Sequence, residues 1–334
     1  MRRKRFHANL KFGNSLSGKF NMVRLDGITM KQLRALRAVA KWGSLTAAGQ
    51  ALGLTTPAIH TQIKGLEDAV QVRLLQRAAD GAGSDLTDAG HAMLAAAKRI
   101  EDALSQAGAD LAALSRGKTG RVTLGVVSTA KYFAPRLVKA LSLSHPDIEV
   151  ALRVGNRETT IEGLERGAFE IAIMGRPPRR PPVLAEPLGP HPHTLLVPPG
   201  HRLLGQGVSA DALLDEVFLT REPGSGTRIL MERWLDRVAD GRAFETMEME
   251  SNETIKQAVM AGLGIAFLSL HTVTEELGSG RLVELSAPGL PIVRNWFMVR
   301  REDEVPRPVA ERLWEAILEL RGSYFPTIPM IDAS

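Results

Sequence analysis

Two groups of side chains in this 334-residue sequence have types and spacings that could do chemistry. In the first, Pro57, His60, Thr61 and Lys64 recur at i, i+3, i+4 and i+7, so a helix through them carries all four on one face. With Thr56 at its start, that face is small, polar and basic at its far end. Hydroxyls can meet base edges or phosphates, Pro57 can touch a thymine methyl, and Lys64 can neutralise a phosphate. An ordinary amphipathic helix with a solvated face has the same pattern, and spacing alone leaves the two readings even. The second group follows expected strands at expected helix N-termini. It comprises Ser128 and Thr129, then Asn156 and Arg157, then Gly226, Thr227 and Arg228 in the GSGTR loop, and Asn252; Gly175 and Arg176 occupy a further strand end. Beyond the carboxyl ends of strands, backbone N–H groups and helix dipoles favour an anion. Arg157 and Arg228 suit a phosphate or carboxylate through bidentate hydrogen bonds, so a multiply anionic ligand is expected. Gly-Ser-Gly is also a common turn, and the loop by itself carries little.

The first group needs a helix-turn-helix to hold it. Leu33, Leu36, Val39 and Ala40 mark one face of a helix ending near Gly43; a second helix spans 45–52 and a third 56–70, with Gly53 between them. Ile59, Ile63, Leu66 and Val70 form the buried stripe of the third, Thr55 and Thr56 are its cap candidates, and Pro57 suits its first turn. Behind it, from Thr87 as cap, Leu86, Gly90, Met93, Ala97, Ile100, Leu104, Ala107, Leu111 and Leu114 fall at alternating spacings of four and three. This heptad seam predicts a dimerising helix over 88–115, and a dimer would present two recognition helices to a palindromic operator. The second group needs an α/β framework. Strands are expected at 122–127, 149–154, 171–174, 195–197, 217–219, 245–249, 265–268 and 295–299, alternating with helices at 132–144, 160–166, 227–239, 253–261 and 306–320. The Pro-rich tract RPPRRPPVLAEPLGPHPH (176–193) reads as a boundary between two subdomains, about 121–190 with 295–334 and about 191–294, joined by two connecting strands, as in periplasmic binding proteins. The fold class is therefore α plus α/β: an N-terminal helix-turn-helix domain over 28–87, to which the family resemblance given below adds a wing (a winged helix-turn-helix), a linker helix over 88–117, and a two-subdomain effector-binding domain over 118–334.

Composition bounds the remaining possibilities. No apolar run approaches the ~20 residues of a membrane span, and a cytoplasmic, membrane-free protein is expected. Zero cysteines exclude disulfides and thiolate chemistry. Residues 1–120 carry 18 basic and 9 acidic side chains, which suits nucleic acid, although residues 1–21 supply six of those positive charges and no negative one. Residues 1–27 are expected to be a disordered basic extension without a secretory signal, read either as an arm that touches phosphates or, the favoured reading, as an upstream extension with natural translation starting at Met22 or Met30. His191 and His193 lack a third ligand for a metal, and Ser225 lacks a partnered His/Asp pattern. Neither a metal, a cofactor nor enzyme activity is expected.

The N-terminal pattern MKQLRALRAVAKWGSLTAAGQALGLTTPAIHTQIKGLEDAVQVRLLQR, followed by LTDAGHAM, resembles the LysR-type transcriptional regulators. The resemblance implies that Thr56, Pro57, His60 and Thr61 lie against bases or backbone, and that a wing spans 74–86. This wing, RAADGAGSDLT, departs from the family's basic wing: it holds Asp80 and Asp85, with Arg77 its one positive residue. Downstream, VTLGVVSTAKYFAPRLVKAL, VGNRETTIEGLERG, LGPHPHTLLVPPGHRL, EPGSGTRILMERWL and SNETIKQAVMAGLGIAFLS resemble the LysR-type regulators of Calvin-cycle (RubisCO) operons. That likeness implies an activator of CO2-fixation genes acting as a homodimer or homotetramer on double-stranded DNA and RNA polymerase. It implies an effector such as ribulose 1,5-bisphosphate or phosphoenolpyruvate, with reduced pyridine nucleotide another candidate, although no GxGxxG fingerprint occurs at a strand-helix turn. The alternative is a LysR-type regulator of another metabolic operon sensing a small carboxylate. A solute-binding protein or small-molecule enzyme is the remaining reading, without a catalytic constellation to support it.

Overall fold

In a computed structural model that describes residues 25–78, 83–205 and 208–328, helix α1 (Met30–Trp42) opens on a capping box. The Thr29 hydroxyl accepts from the Gln32 N–H, and the Gln32 side chain accepts from the Thr29 N–H. Ser44 and Thr55 cap α2 (Leu45–Leu52) and α3 (Thr56–Val70). Gly43 and Gly53 leave α1 and α2 at φ of 72° and 66°, a left-handed turn that costs glycine no steric strain. The four residues of the α3 stripe are buried against Leu36, Val39 and Ala48. Each large aliphatic side chain so buried contributes about 1.5–3 kcal/mol relative to exposure. β1 (Leu75–Arg77) and β2 (Ser84–Leu86) pair antiparallel as the wing. The Glu67 carboxylate accepts from the N–H groups of Leu74 (2.8 Å) and Leu75 (3.2 Å), tying the wing's start to α3. Asp85 lies in β2; Asp80 and the basic stretch 1–21 lie outside the described residues.

α4 (Asp88–Ser115) is one 28-residue helix, about 42 Å long at ~1.5 Å per residue. Thr87 caps it through a 3.0 Å hydrogen bond from the Gly90 N–H. A Cβ at Gly90 would stand 2.1 Å from the Leu74 carbonyl oxygen, so glycine there permits the close approach. The chain divides into two compact units, Met1–Lys98 and Arg99–Ser334, inside α4 and not at its ends. Met93 and Ala97 pack into the helix-turn-helix core, whereas Gln106 and Asp110 hydrogen-bond to the backbone of Arg121. Further along the seam Ile100, Leu104, Leu111 and Leu114 are exposed.

The second unit contains β3 (Gly120–Val127), α5 (Ala134–Ser144), β4 (Ile148–Gly155), α6 (Arg157–Glu165), β5 (Ile171–Met174) and β6 (Val183–Val197). It continues with α7 (Ala210–Leu214), β7 (Val217–Arg221), α8 (Gly226–Ala239), β8 (Glu245–Met249), α9 (Asn252–Met260) and β9 (Ile265–Ser269). It ends with α10 (Thr274–Gly278), β10 (Val283–Leu285), β11 (Ile292–Arg301) and α11 (Pro308–Glu319). Among the described residues nine strands form one sheet in the order β4-β3-β5-β11-β6-β9-β7-β8, with β10 on β6. β3 pairs parallel with β4 and β5, and β7 parallel with β8 and β9, as α-helical crossovers require. β6 and β11, antiparallel to each other, carry the chain between the halves. Alternate residues along the strands of the second half feed opposite layers: Leu195, Phe218 and Phe267 one, Leu196, Leu219 and Leu268 the other.

The Pro-rich tract read as a boundary forms part of one of the strands that carry the chain between the halves. From Val183 it runs within β6, with Pro187, Pro190 and Pro192 opposite Phe297, Asn295 and Val293. Over this stretch β6 pairs, among the described residues, with β11 alone, so a proline's missing N–H can face the unpaired edge. No helix of the described residues is long and apolar enough to cross a membrane.

Candidate functional site

On α3 the buried stripe fixes the opposite face by elimination. Pro57, His60, Thr61 and Lys64 are exposed together, with Thr56 half-buried beside them. The Thr61 hydroxyl donates 2.9 Å back to the Pro57 carbonyl, so towards a partner it can only accept.

Within the second unit a cleft of about 910 Å³ opens where β3, β5, β6 and β11 meet the first turns of α6 and α8. Five of the eight residues expected to bind an effector line it: Ser128, Thr129, Arg157, Gly226 and Thr227. Arg157 follows Asn156, which caps α6 by accepting from the Thr159 N–H. At the start of α8, Ser225 makes no side-chain cap bond, and the 14-residue helix presents its first turn to the cleft. Gly224 precedes it at φ 82°, and a Cβ there would lie 2.5 Å from a Glu158 carboxylate oxygen. The Glu158 N–H reaches the Gly224 carbonyl at 3.3 Å, one link between the two walls. A buried Arg221 makes another, donating to Ser128 Oγ (3.1 Å), to Asn252 Oδ1 (2.5 Å) and to both oxygens of Glu222. Lys131 binds Glu253 at 2.6 Å as a third.

Arg228, Asn252 and Asn156 do not line the cleft. Arg228 bonds to Glu232 (2.8 Å) and Glu248 (2.6 Å), which raise its pKa in that order. Its position explains this, because one residue turns a helix by about 100°. From Gly226 the cleft-facing residues are Ile229, Leu230 and Arg233, at i+3, i+4 and i+7. Asn252 is buried under Arg221, and Asn156 is spent on its cap. Helical spacing could have found Arg233. Arg179, Arg294 and Asn295 come from the tract read as a boundary and from β11, whose start lies three residues earlier than expected.

The cleft's electrostatics are one-sided. Arg157, Arg176, Arg179, Arg233 and Arg294 line it, and among the described residues no Asp or Glu does. Burial first, then the charges of Arg176 and Arg233, pull the Arg157 pKa below its ordinary value. Nη1 of Arg157 donates to the Arg176 carbonyl, which fixes the side chain without neutralising it. At the floor, His191 and His193 are buried on β6; desolvation is the main reason that His193 falls to about 3 and His191 well below the usual imidazole value. Like charges gathered without a counter-charge receive an anion, and neutral imidazoles below them can hydrogen-bond it.

The helix-turn-helix and the cleft each match a family model. Residues 30–91 match the bacterial regulatory helix-turn-helix protein model of the lysR family, and residues 115–321 the LysR substrate binding domain. The HTH-type transcriptional regulator CbbR of Cereibacter sphaeroides is 55% identical over 92% of this chain and 100% of its own. The RuBisCO operon transcriptional regulator of Allochromatium vinosum is 36% identical over 87% of this chain and 96% of its own. The Synechocystis CcmR regulatory domain, solved in complex with 2-PG, is 30% identical over 60% of this chain and 97% of its own, with a TM-score of 0.57. The chain belongs to the LysR family of helix-turn-helix transcriptional regulators.

Proposed function

We propose that this regulator activates CO2-fixation (RubisCO, Calvin-cycle) operons, reading a palindromic operator with α3 and taking a phosphorylated metabolite in the cleft. The observation that carries the ligand class is the cluster of five arginines with no carboxylate among the described lining residues. A phosphoryl group offers more oxygens and more charge than one carboxylate, and two anionic groups on one molecule would engage arginines from both walls. Ribulose 1,5-bisphosphate and phosphoenolpyruvate both have that character. The names of the two RubisCO-related relatives support the operon, and the 2-PG bound by the Synechocystis domain supports a small effector. The exposed seam of α4 supports a dimer, which would bring two α3 helices to two half-sites about 34 Å apart.

Binding would act on the links between the walls. A ligand that takes Ser128 and the first turn of α8 competes with, or tightens, the Arg221–Ser128 and Glu158–Gly224 contacts. It thereby shifts the balance between open and closed walls. Calorimetric titration of ribulose 1,5-bisphosphate, phosphoenolpyruvate and an unphosphorylated dicarboxylate tests the class. Preference for the phosphorylated molecules, weakened by Arg233→Gln and by Arg294→Gln, is expected. Preference for the dicarboxylate would move the reading to another metabolic operon.

A further inference from the structure

The floor of the cleft holds a polar group that the arginine cluster leaves unused. His191, on β6, is 3% exposed and belongs to the cleft lining. Its ring stacks on the Trp296 indole with centroids 3.6 Å apart and planes 14° from parallel. Its Nε2 lies 3.0 Å from Ser269 Oγ, so both the ring plane and one nitrogen are fixed. Nδ1 has no hydrogen-bond partner among the described protein atoms. It lies beneath Gly175, another residue of the lining, where a Cβ would stand 2.9 Å from it; glycine at 175 keeps a side chain from covering that nitrogen.

A buried imidazole nitrogen without a partner loses its hydration and gains nothing in return, so a ligand atom that pairs with it recovers that loss. Burial, then His193 and His271, hold His191 uncharged near neutral pH. An uncharged imidazole has a single N–H, and the group at the other nitrogen decides where it sits. The Ser269 hydroxyl can donate to Nε2, which leaves the proton on Nδ1. A ligand anion selects that tautomer, because the other would set a lone pair against a lone pair.

We propose that His191 is a ligand-contacting residue of the cleft, donating Nδ1–H to an anionic oxygen of the bound molecule while Ser269 donates to Nε2. The assignment rests on the anionic-ligand reading above. It adds a selectivity that the arginines lack. The guanidinium groups that line the cleft attract any anion, whereas Nδ1 is reached only by an oxygen lodged where β5 ends against the two connecting strands. Ligands that differ in the reach of one anionic group are thereby told apart.

The test uses full-length protein with ¹⁵N-labelled histidine, titrated with phosphoenolpyruvate and, separately, ribulose 1,5-bisphosphate at pH 8. His191 is told from His271, which also meets the Trp296 indole by accepting its N–H at Nδ1, through its proximity to Gly175. At saturation its Nδ1 is expected in the protonated range and its Nε2 in the hydrogen-bonded acceptor range. His191→Phe, which keeps an aromatic ring against Trp296, is expected to weaken binding about tenfold or more. His191→Asn, whose amide can stand in for Nδ1–H, retains most of the affinity, and Ser269→Ala loses part of it. If both probes leave the protein unperturbed, the anionic-ligand reading fails and this assignment with it. If a probe binds while His191 keeps its proton on Nε2, or His191→Phe binds as tightly as wild type, this assignment alone is overturned. The tautomer is read on the unmodified protein, so the outcome does not depend on either variant folding.

Discussion

Replacing Arg157 by Gln should separate stability from binding. In the unliganded cleft this guanidinium is partly desolvated and faces the charges of Arg176 and Arg233, so removing its charge relieves a repulsion. What is lost is the hydrogen bond to the Arg176 carbonyl, about 1 kcal/mol. The two effects offset, and the unliganded variant is expected within ~1 kcal/mol of wild type. Ligand binding responds differently. A hydrogen bond from a charged donor to a phosphoryl oxygen is worth about 1.5–3 kcal/mol, so the Kd should rise roughly 10- to 150-fold. At a ligand concentration ~100 times the wild-type Kd, binding stabilises the wild type by ~2.7 kcal/mol. A variant binding ~30-fold more weakly gains only about 0.9 kcal/mol under the same conditions. For a unit the size of Arg99–Ser334, 1 kcal/mol moves Tm by about 2–4 °C. Differential scanning fluorimetry with ribulose 1,5-bisphosphate should then show wild type rising by roughly 5–11 °C and the variant by about 2–4 °C, from nearly equal starting points. A variant that melts far earlier without ligand yet keeps the full ligand-induced rise would refute the reasoning, because Arg157 would then be a structural pin and not an anion receptor.

Arg228→Ala should leave ligand affinity within about twofold, because its guanidinium is held by Glu232 and Glu248 outside the cleft; these part-exposed pairs are worth no more than ~1 kcal/mol, and a large loss of affinity in calorimetry would return Arg228 to the site. Lys64→Ala should weaken operator binding on all sequences alike and reduce the slope of log K against log salt by about 1; in gel-shift titrations an unchanged slope would remove Lys64 from the phosphate contacts. Leu104→Glu and Leu111→Glu alter residues 55% and 69% exposed in the single chain, so circular dichroism should be unchanged while light scattering reports loss of the dimer; an intact dimer would move the interface elsewhere. Acidification should destabilise the effector unit. Desolvation lowers His193 to about 3 and His271 to about 4 in the folded chain, whereas an unfolded imidazole titrates near ~6.5. Between those values the unfolded state binds more protons, so stability falls as pH drops below ~6.5, by up to ~1.4 kcal/mol per pH unit for each histidine. Urea titrations at pH 7.5, 6.0 and 5.0 measure this, and a flat profile would contradict the burial of uncharged imidazoles.

The two sites were legible to different degrees because they are built at different ranges in the chain. The α3 face is a local object. Once Ile59, Ile63, Leu66 and Val70 are read as the buried stripe, helical geometry alone puts Pro57, His60, Thr61 and Lys64 opposite, and the structure exposes those four. The cleft is half local. Arg157 and Thr227 stand in the first turns of helices that follow strands, where the rule for open α/β sheets finds them. Arg228 shows where that rule is too coarse: it names a helix end, but only the 3.6-residue turn decides between Arg228 and Arg233. The far wall is not local at all. Arg294 stands opposite His191 because β11 pairs with β6 across about a hundred residues of intervening chain, and nothing within either segment encodes that register. The prolines deepened the difficulty, since 187, 190 and 192 argue against a strand unless its edge is known to be free. That free edge exists only once β11 has paired on the other side. His191, proposed to contact the ligand, and Arg294 thus owe their positions to the pairing that links the two halves, and a shift of β11 along β6 would change the cleft's chemistry without altering any residue in it.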